Sequence, residues 1–426
     1  MIRNRKFSLA WGSTLVLLVL VISSTSSAVT YKVLHTFTGG SGGGYPVSGL
    51  ISDAAGNLYG TTDGGGAYGA GTVFKLAPNP DGTWTHTVLH SFADYEDGSL
   101  PDWSYLVFDN QGNLYGTTYG GGNIGNCGYG HGCGTAYKLT PNPDGTWTES
   151  VLHAFGSGTD GRRPQAALVL DKVGNVYGTT TEGGFYGGGT VFVLVSNSDG
   201  SWTETILHNF GKQRDGVMPW TGVVFDADVN SLYGTTRVGG IYGLGTIFKL
   251  TPNPDGTWTE NILHNFKGAR DGSGTYAGVV FDTAGNLYGV SLRDGTYDKG
   301  TIYSMSPLPG DGWTGRTLHQ FTGGEDGGNP TTRLIVGWDG NLYGMASNGG
   351  RGTCQDEWGT GCGVVFKMTP ATDGKWTGTV LHRFRGESGG GSPYGGPLVL
   401  DAAGNIYGTA WNRGARNYGV VFQITP

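Results

Sequence analysis

Short stretches of this chain alternate apolar and polar residues and are punctuated by glycine, proline, asparagine and aspartate, as the segment from Leu50 to Phe92 shows. Leu50 to Asp53 is a brief apolar run, and Asn57-Leu58-Tyr59-Gly60-Thr61-Thr62 follows an Ala-Ala-Gly turn. Gly71-Thr72-Val73-Phe74-Lys75-Leu76 follows a glycine-rich link, and Pro78-Asn79-Pro80-Asp81-Gly82 reverses the chain into the stretch from Trp84 to Phe92. Period-two patterning, β-branched and aromatic enrichment, and Asp-Gly or Gly-Asn punctuation predict four antiparallel strands joined by hairpins. Outside the N-terminal leader no window has a helical period.

This unit recurs. The phrase Leu-His-x-Phe occurs seven times, with His35, His90, His153, His208, His264, His319 and His382 at intervals of 55, 63, 55, 56, 55 and 63 residues. The second-strand tyrosine recurs at Tyr59, Tyr115, Tyr177, Tyr233, Tyr288, Tyr343 and Tyr407, and the third-strand aromatic at Phe74, Tyr137, Phe192, Phe248, Tyr303, Phe366 and Phe422. The tryptophan opening the fourth strand appears only six times, at Trp84, Trp147, Trp202, Trp258, Trp313 and Trp376. Thr30 to Phe37, in contrast, reads as a fourth strand with no first three before it. Four strands per unit in tandem predict an all-β, seven-bladed β-propeller over residues 29–426, in which the N-terminal strand completes the C-terminal blade. Closure would pair the edges that an open array exposes.

Composition changes this picture little. The 83 glycines fall at fixed repeat positions beside aromatic strands, so turn chemistry explains them better than disorder. Residues 1–28 read as a signal peptide: Arg3, Arg5 and Lys6 precede an apolar stretch from Leu9 to Ile22, and Ser26-Ser27-Ala28 offers a cleavage site after Ala28. The alternative, an uncleaved anchor, has an apolar run short for a bilayer. The expected compartment is therefore periplasmic or extracellular, with no membrane span in the mature chain and a monomeric state. Loss of the leader's three positive charges takes the formal charge from -7 to -10, which argues against nucleic acid as a partner.

Cys127 and Cys133 lie in the second-to-third-strand link of one unit, and Cys354 and Cys362 in the same link of another, both within the 63-residue intervals. Local pairing, Cys127 with Cys133 and Cys354 with Cys362, is expected in an oxidising compartment. The alternative is zinc held with His131, which lacks a fourth ligand.

The seven histidines, one per blade on an outermost strand, cannot converge on one ion, so a structural role and no metal are expected. The proposed partners lie within each blade: the threonines of Gly-Thr-Thr, the tryptophan, and the aspartate closing the first strand. That aspartate is Asp53, Asp109, Asp171, Asp226, Asp282 or Asp401, with Asp339 as a shifted counterpart in the sixth unit.

The phrases Leu-His-x-Phe, Gly-Asn-Leu-Tyr-Gly-Thr-Thr and Gly-Thr-Val-Phe-Lys-Leu resemble the GloVer (Gloeobacter/Verrucomicrobia) tandem repeat of secreted bacterial proteins over nearly all of residues 29–426. The resemblance implies export, often with an added surface anchor that is not evident before Pro426, and implies no activity. More distantly, the strand order is similar to quinoprotein dehydrogenase and two-component sensor propellers, which implies that the first strand lines the axis and the histidine strand forms the rim. The second-to-third links and the blade-crossing links then share one face.

On that face the crossing links carry Asp97, Asp160, Asp215, Asp271 and Asp326, each before glycine, in five of seven links. They read either as turn residues or as a ring of carboxylates around the axial opening, able to hold calcium or sugar hydroxyls. Tyr45, Trp103, Trp220, Tyr276 and Tyr394 near that opening differ between blades, which suits ligand stacking, carbohydrate especially. The expected function is a non-catalytic binding or scaffold module for an extracellular glycan or protein, without a cofactor. The alternative is a carbohydrate-active enzyme, a glycosidase or lyase, on the same face. Off-pattern acids Asp63, Glu96, Glu182, Asp294 and Glu357 are available to it, though no spacing singles out a pair. Vicinal cysteines for a quinoprotein and a Gly-x-Ser-x-Gly elbow are both absent from the sequence.

Overall fold

The computed structural model describes residues 28–426 apart from 123–126, 128–131, 157, 311 and 356–358. The leader residues 1–27 and His131 therefore lie outside the described residues, as does Glu357. Seven four-stranded antiparallel sheets follow one another along the chain. The first is built from Ile51–Ser52, Leu58–Thr62, Thr72–Pro78 and Trp84–Ser91, paired in that order from axis to rim. Beyond the strands, the regular elements among the described residues are three short 3-10 turns.

The ring closes through its ends. Thr30–Thr36 pairs antiparallel with Val420–Thr425 as the outermost strand of blade seven, placing Tyr31 opposite Ile424 and Val33 opposite Phe422. Its register slips between Val33 and His35, as it slips between Val73 and Phe74 in blade one. Such a bulge inserts Leu34 or Leu89 as an unpaired residue and re-aims the histidine that follows it.

Two repeated aromatics make the joints between blades. The phenylalanine of Leu-His-x-Phe is fully buried and meets the third-strand aromatic of the next blade, as Phe92 meets Tyr137 at 5.1 Å and Phe210 meets Phe248 at 5.0 Å. The same contact crosses the closure, Phe384 to Phe422 and then Phe37 to Phe74. The glycine of Tyr-Gly-Thr exists for this ring: a Cβ on Gly60 would stand 2.8 Å from Phe74 and 3.0 Å from Leu50. Removing one such buried phenylalanine would cost about 3–5 kcal/mol.

The hydrogen-bonded set expected within each blade separates into three. Asp53 accepts from Asn57 Nδ2 and from the Tyr59 hydroxyl at 3.0 Å, and Asp339, despite its shift, accepts from Tyr343 at 2.8 Å. The threonines bond across strands, as Thr62 does to Thr72 at 2.7 Å. The tryptophan joins neither group and packs edge-on against the tyrosine of the preceding blade, Trp376 on Tyr288 at 5.7 Å. The histidine pairs elsewhere, as described below.

Candidate functional site

Each crossing link begins at the rim and ends at the axis, where it passes through a residue with left-handed backbone. Tyr45, Leu100, Arg163, Met218, Asn329 and Ser392 occupy this position with φ between 47° and 62°, and Gly274 takes it in blade five. Its amide donates to the second-to-third link of the preceding blade, Tyr45 to the Tyr418 carbonyl at 2.8 Å and Leu100 to that of Ala70 at 2.9 Å. Its carbonyl accepts from the residue after the second strand of its own blade, as Tyr45 accepts from Asp63. Non-glycine residues held at positive φ are strained, and only over-determined surroundings keep them there.

Aromatic side chains of these links, at positions that differ from blade to blade, form one continuous row. Tyr418 packs on Tyr45, Tyr45 on Trp411, Trp411 on Tyr394 and Tyr394 on Trp103, with centroids 5.3 to 5.9 Å apart. Trp103 then reaches Tyr276 at 6.3 Å, and Tyr276 meets Trp220 at 5.3 Å. The Arg237 guanidinium stacks on this end, 5.0 Å from Trp220 and 4.6 Å from Tyr276. The five aromatics picked out in the sequence are all in the row; Trp411, Tyr418 and Arg237 were missed, since their convergence depends on ring geometry.

At its Trp103–Trp220 end the row closes the mouth instead of rimming a channel. The space enclosed by Trp103, Trp220, Tyr276 and Arg333 is about 10 Å³, room for one water at most. The result is a half-buried aromatic shelf. Trp220 Nε1, Trp411 Nε1 and Arg333 Nε are buried there without hydrogen-bond partners among the described residues.

Asp102, next to Trp103 in the chain, has the carboxyl of Asp63 as a neighbour. Burial pushes Asp102 well above the usual carboxylate range, and the charge of Asp63 adds to the effect. Asp63 itself is pushed up to about 6 by burial. Of the off-pattern acids among the described residues, Asp63 is the one with such a neighbour. Glu182 is taken up by Arg162 at 3.1 Å and Arg163 at 2.5 Å, Asp294 accepts from Ser273, and Glu96 is exposed.

The aspartates of the crossing links do not surround the axis. Asp97 stands 2.9 Å from His90, Asp160 3.4 Å from His153 and Asp215 3.2 Å from His208. Asp271 lies 3.0 Å from His264, and Asp326 3.1 Å from His319. Each comes seven residues after its histidine, at the outer start of the link, so the carboxylates line the rim. Where the aspartate is missing, the histidine stacks instead: His35 on His86 at 4.3 Å, and His382 on Tyr31 at 3.8 Å. His86 and Tyr31 share one position of the outermost strand, which is Glu149, Glu204 and Glu260 in blades two to four. Burial and a neighbouring aspartate push Glu204 up to about 7 and Glu260 up to about 9.

Cys127 is bonded to Cys133, and Cys354 to Cys362. Among the described residues no helix is long and apolar enough to cross a membrane.

The molecule is a closed seven-bladed propeller with a variable aromatic face. Its sequence matches the model of the Gloeobacter/Verrucomicrobia repeat over residues 20–129, 127–353 and 253–426, and the chain belongs to that family. No curated protein matches it. Among solved structures, a protein assigned as a 6-phosphogluconolactonase from Bacteroides uniformis is similar with a TM-score of 0.51 and 14% identity, over 89% of this chain and 99% of that one. The NanB sialidase of Streptococcus pneumoniae is similar with a TM-score of 0.43 and 12% identity, over 92% of this chain and 70% of that one. At 14% identity the likeness to the first shows the fold alone.

Proposed function

We propose that this protein is an exported, non-catalytic module that binds glycan on its axial face. The observation that carries the reading is the aromatic row from Tyr45 to Trp220, built at positions that vary between blades and flanked by three unpartnered buried donors. Sugar rings stack their C–H faces on such surfaces, and unpartnered donors gain from acceptor hydroxyls or carboxylates. A shelf with only about 10 Å³ enclosed suits a chain lying across it better than a small molecule held within. Export rests on the leader and accords with two disulfides in one chain; N-terminal sequencing of the secreted protein should begin at Val29.

A glycan array tests the binding. Retention of a glycan by the parent, lost in Trp103→Ala, supports the reading, whereas no retained glycan, or retention indifferent to that change, overturns it.

The second reading, a carbohydrate-active enzyme, is favoured by one observation, the neighbouring carboxyls of Asp63 and Asp102. With Asp102 raised above Asp63, one can stay protonated while the other ionises, the division of labour that acid–base chemistry on a glycosidic bond requires. Reducing ends released from the retained glycan, and abolished in Asp102→Asn, would decide for this reading against the first.

A further inference from the structure

We propose that the rim carries two sites for a divalent transition metal, best fitted to Zn2+, one formed by His153, Asp160 and Glu204 and the other by His208, Asp215 and Glu260. In each, the histidine comes from the outermost strand of one blade, the aspartate from the link leaving it, and the glutamate from the outermost strand of the next blade. The three donor atoms of each site lie within 4.8 Å of one another.

The spacings are close to those of coordination. His153 Nε2 stands 3.4 Å from Asp160 Oδ2 and 3.6 Å from Glu204 Oε2, and His208 Nε2 stands 3.2 Å from Asp215 Oδ2 and 3.8 Å from Glu260 Oε2. Zinc bonds of about 2.0–2.2 Å in a tetrahedron hold their ligand atoms about 3.3–3.6 Å apart. A charged hydrogen bond would draw the pair to about 2.7–2.9 Å. Blades five and six, with Gly315 and Gly378 at the glutamate position, lack the third ligand; in blade two Glu149 occupies it, but there His90 is closed onto Asp97 at 2.9 Å as a hydrogen-bonded pair.

A second observation points the same way. His153 Nε2, Asp160 Oδ1, Glu204 Oε1 and Glu260 Oε1 are buried without a hydrogen-bond partner among the described residues. Buried polar atoms are normally satisfied; a cation would take His153 Nε2 as a ligand directly and, at each site, offset the repulsion between the two carboxylates. Imidazole with two carboxylates suits Zn2+. Calcium, left open by the sequence, takes six or more oxygen ligands and fits poorly. The His208 site opens into a groove of about 830 Å³, which gives the ion access and leaves its fourth position to water; exposed Lys212 and Arg214 line the same groove. An ion at each site would tie blade two to blade three and blade three to blade four.

Equilibrium dialysis of the mature chain against Zn2+, after chelator treatment, should give two ions per chain. Glu204→Gln and Glu260→Gln should each remove one ion, and the double substitution both. Co2+ in place of Zn2+ should give the visible absorption of a tetrahedral site. No tight Zn2+ binding, or two ions still held by the double variant, overturns the proposal. Should the glutamine variants misfold, a parent Co2+ spectrum without tetrahedral bands overturns it equally.

Discussion

Tyr31 lies flat on His382, with ring centroids 3.8 Å apart and planes 7° from parallel, and donates its hydroxyl to the Gly389 carbonyl at 2.6 Å. One residue is near the start of the described chain and the other is in blade six, so this stack is one side of the seam where the ring closes. On the other side of the same strand, His35 stacks on His86 of blade one. Five of the seven rim histidines face an aspartate; of the two that do not, His35 lies on the closing strand and His382 packs against it.

The seam should therefore loosen in acid. Burial, with Arg385 nearby, holds His382 down to about 4, and burial with His86 does the same to His35. A base whose folded pKa lies below its unfolded value of about 6.5 leaves the unfolded chain binding more protons between those values. The stability contribution is whole above pH 6.5, falls as the pH drops toward 4, and changes no further below. Thermal melts across pH 7 to 4 should show the parent losing more stability than a His382→Phe variant, which keeps a ring against Tyr31 without the titration.

Asp102 should behave in the opposite sense. A carboxyl raised above its unfolded value contributes fully below that value, and its contribution is lost as the pH rises through the folded pKa. Asp102→Asn should thus melt above the parent at pH 8 and level with it at pH 4. A variant less stable than the parent at pH 8 would contradict the burial of that carboxyl.

Gly60→Ala should destabilise the fold by about 1–3 kcal/mol, because overpacking forces rings and backbone to shift. The obstruction is the Phe74 ring at 2.8 Å. Urea unfolding measures this, and Gly56→Ala gives the comparison for backbone strain without crowding, since Gly56 has φ of 80° and nothing within 4 Å of a Cβ.

Trp103→Ala should weaken glycan binding tenfold or more, as loss of a central aromatic anchor does. Trp103 links the two halves of the row, meeting both Tyr276 and Tyr394. Tyr68→Ala, at a residue 71% exposed in the link between second and third strands, should leave affinity within twofold. Titration of the retained glycan by fluorescence would measure both.

The sequence by itself determined the number of blades, the four strands of each and the closure by Thr30–Thr36, because each of these is written in local pattern and in a period that counts itself. It also picked out Tyr45, Trp103, Trp220, Tyr276 and Tyr394, because variation against a constant repeat is visible without coordinates. It left Asp97 and its four counterparts either as turn residues or as a ring at the axis, whereas they pair with histidines at the rim. A link that runs from rim to axis has two ends, and only the path of the backbone shows which end holds which residue. The pairing of Asp63 with Asp102 and the meeting of Glu204 with His153 were likewise decided by tertiary structure. Both contacts cross between neighbouring blades, and the distance between residues in adjacent sectors of a ring follows from its radius and the tilt of its sheets, which no local pattern encodes.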